Sequence, residues 1–208
     1  MAFRVLFRFS KEGEARFLSH HDLIRLFERA LRRAGLPVRM TQGFNPHPKF
    51  AILSALPLGL EGEEEALEVH FDNPVPPAEA LERLAAQLPP GITARSARPI
   101  EPGTTLAVVR SEYRVLLPED LELRQADVDA FLAGSHTVVE RRNGRRLDIR
   151  PAIADLRLDG RVLSFAVTHG QRGTPRPAEV LEAVVGRPVP PTVRVRRTRL
   201  DVRFVSKR

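Results

Sequence analysis

Phe3, Val5, Phe7 and Phe9 alternate with Arg4, Leu6, Arg8 and Ser10, and soon afterwards Leu23, Leu26, Phe27, Ala30, Leu31 and Ala34 recur at helical spacing. A two-residue period buries one face of a strand, and a 3.6-residue period buries one stripe of a helix, so the chain must open as a strand and a helix sharing a core. Ser19 can cap that helix, with Asp22 three residues on, and Gly35 ends it. Arg25, Arg29 and Arg32 fall on the opposite face. Residues 38–41 begin a second strand, 42–48 form a loop, and 50–53 resume the strand. Leu67, Val69 and Phe71 mark a third strand, Leu81, Leu84, Ala85 and Leu88 a second helix, and residues 92–97 a fourth strand. The order strand, helix, strand, strand, helix, strand is that of a ferredoxin-like, or split βαβ, unit.

The same order recurs. Residues 113–117 read as a strand, 126–132 as a short helix, and 137–149 as a hairpin turning at Asn143-Gly144. A second hairpin turns at Asp159-Gly160, followed by a helix through Val180, Leu181 and Val184 and a last strand over 193–205. The expected fold class is therefore α+β, two tandem ferredoxin-like units at 1–104 and 105–208, joined near 101–110, the second carrying an extra β-hairpin. A length of 208 residues suits two such domains.

The sequence contains no Cys, which removes thiolate zinc, iron–sulfur and cysteine-nucleophile chemistry from this chain. No apolar run approaches a membrane span, and the first residues carry no signal-type stretch, so a soluble cytoplasmic protein with no membrane partner is expected. The net charge is +7, and its surplus is uneven: residues 1–104 hold 13 basic and 13 acidic residues, residues 105–208 hold 20 and 13. Thirty of the 33 basic residues are Arg, the side chain best shaped to grip phosphate in two places.

Basic groups cluster at Arg141, Arg142, Arg145 and Arg146 around the Asn143-Gly144 turn, and at Arg194, Arg196, Arg197 and Arg199, followed by Arg203, Lys207 and Arg208. Both clusters suggest polyanion binding. The segment Thr168-His169-Gly170-Gln171-Arg172-Gly173-Thr174 is a donor-rich loop that matches no nucleotide-binding pattern. Ser19-His20-His21-Asp22 reads first as a helix cap, and adjacent histidines at a helix start diverge too far to share a metal, so no metal is assigned. The run Glu61-Gly62-Glu63-Glu64-Glu65 reads as solvated surface. Phenylalanines fall mostly at core positions, so no base-stacking platform is expected. The loop Gln42-Gly43-Phe44-Asn45-Pro46-His47-Pro48-Lys49 combines conformational freedom at Gly43 with two stiffening prolines and polar side chains, the makings of a rigid binding loop.

Phe9-Ser10-Lys11 with Gly13, Arg16-Phe17-Leu18-Ser19-His20-His21-Asp22-Leu23, Arg29-Ala30-Leu31-Arg32-Arg33-Ala34-Gly35-Leu36-Pro37, the loop from Gln42 to Pro48, and Leu56-Pro57-Leu58-Gly59 together resemble the radical-SAM-linked domain family of unknown function. The resemblance is dense over 3–72 and looser beyond. It implies a domain that occurs fused behind a radical SAM enzyme or as a separate protein encoded beside one, in a translation or RNA-maturation setting. The family has no established catalytic residues, so none is assigned. Lys11, Arg16, Ser19, His20, Asp22, Gln42, Gly43, Phe44, Asn45, Pro46, His47 and Pro48 stand as candidates for a shared site. The family usually has an apolar residue at the position of His21, which removes His21 from that set. At fold level the two-unit plan also looks like the tandem ferredoxin-like RNA endonucleases of CRISPR systems.

The expected function is a noncatalytic RNA-binding protein that presents tRNA or rRNA to a separate radical SAM protein, with no cofactor on this chain. Its RNA contacts would be Arg25, Arg29, Arg32, Arg141, Arg142, Arg145, Arg146, Arg194 and Arg196. The alternatives are a metal-independent endoribonuclease using His20 or His47 with Lys11 or Lys49, or a pure protein-interaction module.

Overall fold

Alternating and helical periods both materialise in a computed structural model that describes residues 3–170, 173–190 and 192–206, an α+β fold with four α-helices among those residues. The chain divides into two compact units. Unit 1 takes the described residues up to Val108 and from Val202 onward, and unit 2 runs from Val109 to Asp201.

In unit 1, β1 (Phe3–Lys11) lies between β3 (Glu61–Phe71) and β4 (Ile92–Ile100), antiparallel to both, and the short β2 (Phe50–Ile52) pairs antiparallel with β3. The β1–β3 register sets Phe3 opposite Phe71, Val5 opposite Val69 and Phe7 opposite Leu67, so large apolar side chains share one face. Onto that face pack α1 (His20–Arg33), through Leu23, Phe27, Ala30 and Leu31, and α2 (Pro77–Ala85), through Ala80 and Leu84. The Phe27 ring meets Phe9 edge-on at 4.8 Å. α2 begins with Pro77 in its first turn, where a missing N–H costs nothing.

Unit 2 contains α3 (Gln125–Ala133), β6 (Val138–Glu140), β7 (Arg146–Asp148), β8 (Ile153–Asp159), β9 (Val162–Thr168) and α4 (Pro177–Val185). The division between units passes through β5 (Thr104–Leu116) and β10 (Arg194–Ser206), so each of these strands has residues in both. The strand order is β10, β5, β9, β8, while β6 and β7 pair only with each other. Both hairpins turn where expected: Gly144 and Gly160 take left-handed φ values of +74° and +56° that the tight turns require. Tyr113 stacks on Phe165 at 5.3 Å from the neighbouring strand.

Inside the stretch where the joint is expected, 101–110, the division between units falls after Val108, within a stretch that is strand from Thr104 onward. One expectation fails. The acidic run is not a solvated turn: it is the start of β3, and Glu61 and Glu65 are buried. Glu61 accepts a hydrogen bond from the Gly13 N–H at 3.1 Å and lies 4.0 Å from Arg16. Gly62 supplies the space into which the Glu65 carboxylate folds, space that a side chain at 62 would fill. Charge runs are surface only while nothing nearby satisfies them.

A third buried carboxylate, Glu68, accepts from Arg4 Nε at 2.7 Å and pairs with His70 Nε2 at 2.9 Å, while Arg4 Nη1 also donates to the Thr104 carbonyl at 2.5 Å. Burial would raise the Glu68 pKa, but the hydrogen bonds from His70 and Arg4 and their charge outweigh it and hold it down at about 2. A folded-state pKa below the ordinary value contributes stability that is complete above about pH 5 and lost as pH falls toward 2. A shift of this size corresponds to at most about 3 kcal/mol. Urea unfolding at pH 7 and pH 3 should therefore show a loss in the native protein that Glu68→Gln flattens; equal pH dependence in the two would contradict this assignment.

Candidate nucleic-acid interface

The residues of the family-like motifs separate into a turn-building set and an exposed set. Lys11 is 1% exposed, on the face that strand alternation shares with Phe7 and Phe9, and its Nζ donates to the Leu18 carbonyl at 3.0 Å. Arg16 reaches the Gly13 carbonyl at 3.5 Å and lies over the Phe17 ring at 4.4 Å. Ser19 caps α1: its Oγ accepts from the Asp22 N–H at 3.2 Å, and the Asp22 carboxylate accepts from the Ser19 N–H at 3.2 Å and the Ser19 hydroxyl at 2.6 Å. Those bonds from the Ser19 side chain and backbone lower the Asp22 pKa. His20 is exposed, and its ring neighbour is His21 at 6.1 Å. Lys11, buried and bonded to backbone, cannot meet a phosphate, which leaves the exposed Lys49 as the cation of the endoribonuclease reading.

The exposed set is the tip of the loop between α1 and β2. Its two legs are fixed to β3, since Arg39 N–H donates to the His70 carbonyl at 2.8 Å and His70 N–H to the Lys49 carbonyl at 3.0 Å. The tip closes where Thr41 N–H donates to the His47 carbonyl at 2.8 Å and His47 N–H to Thr41 Oγ1 at 3.0 Å. Gln42, Gly43, Phe44, Asn45 and Pro46, between those bonds, are all exposed, and Gly43 takes a φ of +135° that a side chain resists. Phe44 is wholly exposed at 107%. Phe44, one of the site candidates, is an exception to the expectation that phenylalanines fall mostly at core positions.

α1 stands beside this tip. Its apolar stripe turns inward, leaving Arg25, Arg29 and Arg32 exposed one turn apart. Glu28, between them, accepts from Arg32 Nη2 at 2.9 Å and from His47 Nδ1 at 3.4 Å, tying loop to helix. Arg25 and Arg29 make no salt bridge among the described residues.

In unit 2 the Arg hairpin proves unequal. Arg141 spends its guanidinium on structure: Nε and Nη2 donate to the two Glu179 carboxylate oxygens at 2.7 and 2.9 Å, and Nη2 also to the Thr174 carbonyl at 2.8 Å. Burial would raise the Glu179 pKa, but Arg141 and the Arg176 N–H lower it, and the bonded Glu179 raises that of Arg141. Arg141 is thus corrected from RNA contact to internal tie. Arg142 and Arg146 are exposed, and Arg145 lies against Gly173. On β10, Arg194 is exposed and Arg196 half-buried, whereas Arg197 is 2% exposed and cannot meet a polyanion. Arg199 pairs with Asp201 at 2.7 Å. Gln171, Arg172, Lys207 and Arg208 lie outside the described residues.

Two pairs escaped the sequence reading. His136 Nδ1 donates to Asp148 Oδ2 at 2.7 Å, and Thr137 N–H and Arg150 N–H donate to Oδ1 at 2.9 and 3.3 Å, so the ring is oriented with Nε2 toward solvent. The His136 bond, with the Thr137 bond next, lowers the Asp148 pKa. The signal was present, because the Asn143-Gly144 turn fixes a register that pairs Val138 with Asp148 and so brings His136 alongside. Ser111 Oγ lies 2.7 Å from His169 Nε2, and burial, with the charge of Arg197, lowers the His169 pKa. Ser111 is fully buried, so this pair faces inward. Among the described residues no three His, Asp or Glu side chains gather as a metal site, and no helix is long and apolar enough to cross a membrane.

Uncharacterized protein conserved in bacteria (DUF2344) is the family that matches, over residues 4–177. No curated protein matches the chain. Among solved structures, an unknown protein from Galdieria sulphuraria is similar at 14% identity over 99% of each chain, with a TM-score of 0.28.

If Arg141 is a tie rather than a contact, Arg141→Ala should lower unfolding stability by about 1 to 3 kcal/mol, the range for hydrogen bonds to charged groups. Its affinity for RNA should equal that of the native protein. Loss of affinity with unchanged stability would reverse the assignment.

Proposed function

The chain belongs to DUF2344, a family of uncharacterized proteins conserved in bacteria, and we propose that it is an RNA-binding accessory protein, cytoplasmic, that presents tRNA or rRNA to a separate radical SAM enzyme. The observation that carries this reading is the row of exposed arginines, Arg25, Arg29 and Arg32, held beside a stiff polar loop by the shared Glu28. Arg32 is paired with Glu28, but exposed guanidinium groups with no carboxylate partner among the described residues, as at Arg25 and Arg29, can track phosphates and release their counterions, the main source of nucleic-acid affinity. Arg142, Arg146 and Arg194 in unit 2 supply further cations of the same kind. With no Cys in the chain, an iron–sulfur cluster and its radical chemistry would belong to the partner.

Strand order supports reading each unit as ferredoxin-like. Unit 1 pairs its strands in the spatial order fourth, first, third, second, and unit 2 repeats that order once the β6–β7 hairpin is set aside. The resemblance of residues 3–72 to the radical-SAM-linked domain family supports the partner.

Binding of the full chain to tRNA and rRNA fragments across a salt series tests the proposal. The logarithm of affinity should fall linearly with the logarithm of salt, and Arg25→Ala with Arg29→Ala should reduce the slope by about 1 to 2. Absence of binding at low salt would end the RNA reading and leave the protein-interaction one.

A second reading, metal-independent endoribonuclease, has one observation in its favour: Asp148 orients His136 with Nε2 open, the arrangement of a general base. It moves the base from His20, or from His47, whose Nδ1 meets Glu28 at the longer distance of 3.4 Å, to His136. Cleavage of RNA by the native protein that His136→Ala and Asp148→Asn both abolish would favour it; no cleavage by the native protein would remove it.

A further inference from the structure

We propose that the loop tip at residues 42–46 seats one unpaired nucleobase of the bound RNA, stacked on Phe44, beside phosphates held by Arg25 and Arg29. This inference rests on the RNA-binding reading and names the part of the RNA that the site takes.

Phe7, Phe9, Phe27 and Phe71 of unit 1 are at most 1% exposed, whereas Phe44 is wholly exposed. A solvent-facing ring contributes nothing to folding, yet either of its faces can gain about 1 to 3 kcal/mol from a stacked base. The loop that carries the ring is also tied at its base. Pro46 lies inside the tip and Pro48 just beyond it, bonds between Thr41 and His47 close the tip, and Glu28 anchors His47 to α1. A stiff loop surrenders little freedom on binding, which preserves the stacking energy as affinity.

The chemistry around the ring selects the ligand. Gln42 and Asn45 flank it, and both amides are exposed. Each offers two N–H donors and a carbonyl acceptor, the complement of a nucleobase edge. An apolar protein partner would instead call for a contiguous apolar surface, whereas here one ring stands among amides with cations on the neighbouring helix. Double-stranded RNA hides its base faces in the stack, so the ring can serve only a nucleotide in a loop, a bulge or an end.

The test uses the full-length protein and two RNAs of equal length and charge density, one an unpaired strand with 2-aminopurine at one position, the other a duplex. The unpaired strand should bind more tightly, and its 2-aminopurine emission should be quenched on binding. Phe44→Ala should weaken unpaired-strand binding by about 5- to 150-fold, the equivalent of one lost stacking contact. It should abolish quenching and leave both duplex affinity and the salt slope unchanged, while Phe44→Trp restores quenching and affinity. Arg25→Ala with Arg29→Ala should do the reverse, lowering the salt slope for both RNAs. Equal affinity of Phe44→Ala and native protein for the unpaired strand, with the salt slope intact, overturns the seat and leaves RNA binding standing. No binding of either RNA at low salt overturns RNA binding itself.

Discussion

Packing of α1 on β1 and β3, centred on Phe27 against Phe9, decides which side of that helix the solvent sees. Rolling the helix to hide its arginines would uncover Leu23, Phe27 and Leu31, and truncating one buried phenylalanine alone costs about 3 to 5 kcal/mol. No pairing available to Arg25 or Arg29 on a surface competes with that, since exposed ion pairs yield at most about 1 kcal/mol. The outward cation row is therefore a consequence of the core. The same core fixes the end of β3, where His70 receives one leg of the loop and holds the other, so the position of Phe44 also descends from it.

Arginine number is a poor guide to ligand capacity here. Arg4 ties Glu68 and the Thr104 carbonyl inside unit 1, and Arg141 ties Glu179 and the Thr174 carbonyl inside unit 2. Each meets a carboxylate and a backbone carbonyl at once, which repays the desolvation of a buried cation in a way a single ion pair does not. Arg83 does the same for the end of α1, donating to the Ala34 and Gly35 carbonyls. These side chains buttress backbone. Those that remain for a partner are the ones whose neighbours offer no second acceptor.

The pattern of elements was legible because period two and period 3.6 were each sustained, and because Asn143-Gly144 and Asp159-Gly160 are turn signals with a steric cause. Ser19 and Asp22 were legible as a cap for the same reason: the bonds are local. What was not legible depended on partners far along the chain. Glu61 and Glu65 look like surface until Gly13 and Gly62 are known to face them. Lys11 looks like a site lysine until the Leu18 carbonyl is seen to take its Nζ inside, and Arg141 looks like its three neighbours until Glu179 arrives from a helix later in the sequence. Phe44 stood among the site candidates, but its full exposure was not legible, because burial depends on whether a surface lies opposite, which composition does not encode.

The two sets within the family-like motifs differ in what folding gains from them. Lys11, Ser19 and Asp22 satisfy backbone groups at Leu18, just after a 3-10 turn over Gly13–Phe17, and at the start of α1, and removing such groups leaves donors or acceptors stranded. Gln42, Phe44 and Asn45 satisfy nothing of that kind, yet the chain around them is unusually constrained: prolines limit the unfolded ensemble, and Thr41, His47 and Glu28 fix the folded one. A loop that is stiff because it is packed needs no further reason. Here the constraint comes from its base and its prolines, while the residues of the tip are exposed, so it is a constraint that folding does not use. On the proposed reading it serves a ligand, because a ligand that meets a loop already limited in its conformations loses less entropy on binding.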